Sequence, residues 1–196
     1  MSRRSSTIGI CGTLLYFLIV LIYLITKSDW ALTLWELMTV VGAVILYILL
    51  SQIAKQHNIN GLCCTIMLSA LSGTVIVTSI AHMTSIGVIR PLEAQGQVIP
   101  DYFKIGYFPS VEMTLDYIAW GLFMGIAFGA LSLGVKKKLI KIISAVCSIL
   151  CFAGFIGSFF QDYLWYPAPL GYGFGFLIMC ILDCERGNLL FNNDET

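Results

Sequence analysis

The chain has 196 residues, 58% of them apolar and only 11% charged, with eleven basic and eleven acidic side chains and no formal net charge. A soluble domain carries about 25% charged residues, so a water-soluble globular protein is excluded. No basic patch is interleaved with exposed aromatics, so the composition gives no nucleic-acid partner either.

A helix needs about 20 apolar residues to cross the hydrocarbon core of a bilayer, and six stretches qualify: residues 8–26, 31–53, 61–88, 111–135, 139–160 and 163–182. The expected fold is all-α, a polytopic bundle of six transmembrane helices forming a single domain over residues 1–196. The first stretch follows MSRRSST; it is too long for a signal-peptide core, and no A-x-A-like cleavage site follows it. It reads as a membrane helix.

Lysine and arginine set the orientation. With the N-terminus inside, Arg3, Arg4, Lys55, Lys136, Lys137, Lys138, Lys141 and Arg186 are cytoplasmic, and only Lys27, Arg90 and Lys104 are outside. Eight against three is a positive-inside bias, and six spans return the C-terminus to the cytoplasm.

The second span enters from outside at Trp30 and carries Glu36 about 9 Å deep at helical rise. The third is rich in hydroxyls, among them Thr65, Ser72, Thr74, Thr78 and Ser79. Serine and threonine in a membrane helix bond their own preceding turn or a neighbouring helix; lining a polar passage is the sharper alternative. His82 lies six residues before that span's outer end, and Arg90 just beyond it. Residues 89–109 then form the one long loop, outside the membrane between helices 3 and 4, with Pro91, Pro100 and Pro109 barring a regular helix throughout.

The fourth span opens with VEMTLDYIAWG, where Glu112 and Asp116 stand one helical turn apart on one face. Gly121, Gly125 and Gly129 follow at strict four-residue spacing. Such a ridge lets a second helix backbone approach closely, either within the chain or from a second copy or partner subunit. Cys147/Cys151 and Cys180/Cys184 are spaced i,i+4, unlike the CxxC of redox and zinc sites. They read as small packing residues, with a soft-metal set of Cys11, Cys63, Cys180 and Cys184 as the alternative. Asp162 marks the outer end of the fifth span. YLWYPAPLGYGFG, residues 163–175, holds two prolines and three glycines, so the sixth helix starts after Pro169 or is broken there. The halves show no residue-level repeat.

Glu36, His82, Glu112, Asp116 and Asp162 thus come from different spans yet share the outer third of the membrane. An aspartate at mid-helix costs about 2.5–3.5 kcal/mol on the insertion scale, so such residues face the bundle interior or water. The expectation is an outward-opening acidic pocket of Glu36, His82, Asp116, Glu112 and Asp162, with Arg90 at the lip and Trp35, Tyr117, Trp120, Trp165 and Tyr166 as walls. The plainer readings are a first-turn acid for Glu112, a loop residue for Asp162, and an interfacial aromatic belt for Trp30, Trp165 and Tyr166. Glu36, His82 and Asp116 are the deepest and form the central trio. A Glu/His/Asp set has hard-ligand character and suits a divalent ion, but the chain has two histidines and no HExxH or GxSxG. No metal, cofactor or catalytic residue is assigned.

LDYIAWGLFMGIAFG, a basic turn, and PLGYGFGFLI resemble the second half of bacterial six-span membrane proteins of unknown function, over residues 112–196. The resemblance implies a multi-pass protein of the bacterial cytoplasmic membrane and transfers no site residues. Three functions remain open: binding or transport of a small solute or cation, with proton coupling; a membrane-embedded enzyme acting on a lipid or headgroup at the outer leaflet; and a non-catalytic subunit docking through the glycine ridge. Membrane lipids, a small-molecule or cation ligand, and a homodimer or partner membrane subunit are the expected partners.

Overall fold

The computed structural model describes residues 3–182, without the side chains of residues 3–6 and 162. Asp183, Cys184 and Arg186 lie outside the described residues. No strand occurs among those described. Six helices are long and apolar enough to cross a membrane: α1 (Thr7–Thr26), α2 (Asp29–Gln56), α3 (Gly61–Ala94), α4 (Val111–Gly134), α5 (Lys138–Gly157) and α6 (Tyr163–Leu182). Their outward faces carry bands of large apolar side chains, such as Leu14, Leu18 and Leu21 on α1 and Ile142, Val146 and Ile149 on α5. Contiguous apolar surface on this scale is unsustainable in water, and the chain has the make-up of a multi-pass membrane protein.

Each helix packs on the next in sequence. The ring closes where Phe17 of α1 stacks on Phe174 of α6, with ring centroids 5.1 Å apart. Polar groups end the helices cleanly: Asn60 Oδ1 accepts from Cys63 N at 2.8 Å to start α3, and Ser110 Oγ accepts from Met113 N at 3.1 Å to start α4. Both are N-caps that satisfy otherwise orphaned donors.

Helix α4 is the hub. Of its most apolar window 61% is buried, against 11% for α1, and it supplies Met124, Phe128 and Leu131 to the core beside Leu50, Ile53, Met67 and Leu71. Glycine makes this central position sterically possible. A Cβ on Gly121 would lie 2.7 Å from Phe155 Cβ, one on Gly125 3.1 Å from the Phe152 ring, and one on Gly129 3.1 Å from Ser148 Oγ. The ridge therefore seats α5 of the same chain, and Ser148 Oγ donates to Gly125 O at 2.7 Å across that contact. It is not an open face for a second subunit. On the far side of α5, Gly154 seats α6, where a Cβ would fall 2.6 Å from both Trp165 O and Ala168 Cβ.

One helix departs from its expected span by more than three residues, and another is broken within it. Helix α3 does not stop at residue 88 but continues through Pro91 to Ala94. Proline clashes with the carbonyl four residues back, and here the backbone over Ser85–Ile89 winds as a π-helix, whose wider turn accommodates the ring. Helix α6 is irregular, as its glycines and prolines suggested. A 3-10 turn at Asp162–Trp165 leads through Pro167–Pro169 into a π-helix at Leu170–Gly175. A third π-helix occupies Tyr117–Phe123 in α4. The connection between α3 and α4 is pinned by Lys104, whose Nζ lies 2.8 Å from Glu93 Oε1 and 3.2 Å from Asp101 Oδ1. These two carboxylates hold the ammonium above its ordinary pKa.

The α5–α6 seat gives a direct stability test. Gly154→Val drives side-chain atoms into backbone and should destabilise by about 1–3 kcal/mol, the usual cost of overpacking. Gly42→Ala, with nothing within 4 Å of the added carbon, should be neutral or stabilise by up to about 1 kcal/mol. Thermal unfolding in detergent, followed by tryptophan fluorescence, separates the two.

Candidate functional site

Five ionisable side chains from three helices meet near the end of the bundle that carries the α3–α4 connection. Glu36 comes from α2, His82 and Arg90 from α3, Glu112 and Asp116 from α4. The last two share a face because four residues are close to one helical turn. His82 and Arg90 are eight residues apart, which in a regular α-helix would leave them about 80° out of line. The π-helix between them takes up one extra residue, so they stand as if seven apart, within about 20° of each other. Side chains also lean toward the helix N-terminus, which carries the Arg90 arm back toward His82.

His82 is the centre. Its Nε2 lies 3.3 Å from Asp116 Oδ1 and its Nδ1 4.0 Å from Glu36 Oε1. The first is within ion-pair reach without hydrogen-bond alignment; the second is about 1 Å beyond a hydrogen bond. Arg90 Nη2 donates to the other Glu36 oxygen, Oε2, and Nη1 donates to Thr33 Oγ1. Glu112 lies within the electrostatic reach of His82, Asp116 and Arg90. Both its carboxyl oxygens are buried without a hydrogen-bond partner among the described residues.

These groups pack against one another and do not line an open cleft. Glu36 is 1% exposed, His82 2% and Glu112 3%, while the side chains of Asp116 and Arg90 keep 17% and 22%. The outward-opening pocket of the sequence reading is thus a closed polar cluster with two partly accessible members. Arg90 is not a lip residue beyond the helix; the continuation of α3 carries it within the helix as the partner of Glu36. Asp162 begins the 3-10 turn before α6, and its side chain lies outside the described residues.

Aromatic rings support α4 directly below Asp116. Tyr117 packs on Trp165 at 4.7 Å between centroids, and Trp120 on Tyr172 at 4.8 Å. Trp165 is half-buried and joins α4 to α6, whereas Trp30 and Tyr166 point outward at 60% and 65% exposure. Trp35 Nε1 donates to Tyr16 OH at 2.9 Å, tying α2 to α1. Two contributors went unread in the sequence, Thr33 and Tyr16. Thr33 had a usable signal, since it precedes Glu36 by three residues and shares its face.

Chemically, the cluster is suited to protons more than to a divalent ion. Glu36 and Asp116 address opposite nitrogens of the imidazole, so the three side chains do not converge on one point. Among the described residues no group of three or more His, Cys, Asp or Glu converges as metal ligands would. Three carboxyls face one guanidinium and one imidazole, so the layer is short of one positive charge with His82 protonated and of two with it neutral. In a water-poor layer such a deficit must be met by protons or a cation.

The Glu36–Arg90 pair should reveal itself in a double-mutant cycle. Glu36→Gln or Arg90→Gln alone leaves a buried partner uncompensated and should cost about 3 kcal/mol, while the double variant should cost clearly less than the two together. Unfolding free energies in detergent measure the coupling, and strict additivity would show that the pair is not an energetic unit.

Comparison with family models, curated proteins and solved structures finds no match for this chain.

Proposed function

We propose that this protein is a proton-exchanging membrane protein, binding or translocating protons together with a small solute or cation. Its exchange site is the cluster of Glu36, His82, Arg90, Glu112 and Asp116. The observation that carries the reading is His82 held between two carboxyls from different helices, with the buried Glu112 carboxyl unpartnered beside it. The positive-inside distribution of lysine and arginine puts the α3–α4 connection outside and both termini in the cytoplasm. The cluster then sits toward the outer face of a cell membrane, in keeping with the bacterial cytoplasmic membrane that the sequence resemblance implies.

Imidazole suits this position because it accepts at one nitrogen and releases from the other. A proton passing from the Asp116 carboxyl to Nε2 gives an imidazolium between two carboxylates. Loss of the Nδ1 proton to Glu36 Oε1 returns neutral imidazole in the other tautomer, with charge conserved at each step. The 4.0 Å gap on the Glu36 side makes this second transfer conditional. Arg90 draws Glu36 by its other oxygen, and transfer requires the carboxyl to move about 1 Å toward the ring. Further ionisable groups facing the cluster include Tyr16 of α1 and Tyr172 of α6, within the electrostatic reach of Asp116, and Asp29, Tyr23 and Glu93, within that of Arg90.

Proteoliposomes enclosing a pH-sensitive dye test the reading. Under an imposed diffusion potential or solute gradient, the wild-type protein should acidify the lumen faster than empty vesicles. His82→Gln and Asp116→Asn should each slow uptake by about tenfold or more, as removal of a positioned proton-transfer group does. Wild-type uptake no faster than that of protein-free vesicles under every gradient tried would overturn it.

A further inference from the structure

The polar seam between α3 and α4 does not end at His82 and Asp116. The two helices run antiparallel, and their register is fixed at two levels: His82 faces Asp116, and deeper in the bundle Thr74 Oγ1 donates to Ala119 O at 3.1 Å. One turn from His82 on α3 stands Thr78, and about one turn from Asp116 on α4 stands Trp120, on the two helices that this register holds together. Thr78 is 0% exposed and Trp120 5%.

Neither has a hydrogen-bond partner among the described residues. Thr78 Oγ1 and Trp120 Nε1 are both buried and unsatisfied, and so is Asp116 Oδ1 above them. For Thr78 this departs from its neighbours, because Thr65, Ser72 and Ser79 all bond the carbonyl four residues back. Trp120 is held in place by its ring contact with Tyr172. A buried donor or acceptor left unmet is destabilising enough that native proteins satisfy nearly all of them. A donor-only indole, a hydroxyl and a carboxyl oxygen are thus all unmet on the paired helices α3 and α4, and a buried water requires two or more such partners.

We infer that Thr78, Trp120 and Asp116 form a water-binding site, and that this water carries protons between the cluster and the middle of the bundle. The site stands independently of transport; its role in carrying protons rests on the proton-exchange reading. The indole can only donate, so Trp120 orients the water oxygen and keeps its own proton. The carboxyl proton of Asp116 passes to that oxygen as the water releases another of its protons to Thr78 Oγ1. The hydroxyl gives its own proton to a second water inward of it, which leaves as hydronium while Asp116 becomes a carboxylate, so charge is conserved.

The test uses full-length protein in lipid nanodiscs with 15N-labelled tryptophan, whose four indoles give four N–H signals. Water-selective magnetisation transfer should reach the Trp120 indole despite its burial; Trp120→Phe identifies the signal, and the near-isosteric Thr78→Val should abolish the transfer. A Trp120 indole dry in the wild type, while exposed Trp30 exchanges freely, would overturn the water site. In the liposome assay Thr78→Val should slow proton uptake while uptake by Thr78→Ser stays near wild type. Equal uptake by all three would overturn the carrying role. Absence of uptake in the wild type would remove the transport reading and this role with it, leaving the water site to be judged by the indole signal.

Discussion

Desolvation of charge is the constraint on which this structure turns. Carboxyls in a hydrocarbon layer are expensive unless they meet a cation, a proton or a hydrogen-bond donor, and Glu36, Glu112 and Asp116 lie on helices with little else polar near them. They therefore have to find one another and the guanidinium and imidazole of α3. The result is an electrostatic tie across α2, α3 and α4 that ordinary apolar packing between lipid-facing helices does not provide. Glu36 carries most of it, with one oxygen toward Arg90 and the other toward His82.

The tie works only because α4 reaches the centre. Gly121, Gly125 and Gly129 bring α5 against one side of that helix, which leaves its other side to present Glu112 and Asp116 to α3. Thr74 donates to the Ala119 carbonyl within the π-helical segment of α4, holding α3 and α4 in the register that aligns His82 with Asp116. Packing glycines, a backbone irregularity and the ionisable residues thus belong to one arrangement, with the aromatic pairs on α6 closing it from behind.

Much of this was legible from residue types. Six apolar stretches gave the six helices, and depth counting placed Glu36, His82 and Asp116 at one level. The trio's contact depended on each side chain pointing inward, which the cost of charge in lipid made a sound expectation. What stayed hidden was of two kinds. Proline is a helix breaker in water, and reading Pro91 that way ended α3 six residues early and put Arg90 outside; a π-turn that accommodates the ring leaves no composition signal. Burial was the other. Depth alone does not distinguish side chains that line a cleft from side chains that fill it, and here Arg90 and Glu36 fill it. Trp165 had two readings for a related reason, because tryptophan near a membrane surface is equally at home in an interfacial belt and behind a broken helix, and here its half-buried ring packs on Tyr117.

The π-turn in α3 has a further meaning. His82 and Arg90 face the same neighbour only because one residue more than a regular helix would use is wound between them. Residues 83–89 are largely apolar and supply no charged side chain, yet the way they are wound fixes where the guanidinium points. Wound as a regular α-helix, the same residues would swing Arg90 by roughly a quarter-turn and strand Glu36 without its counter-charge, although every charged side chain would still be present. In this stretch the information is carried by the winding: the pitch of the backbone, not the chemistry of its side chains, keeps Glu36 paired.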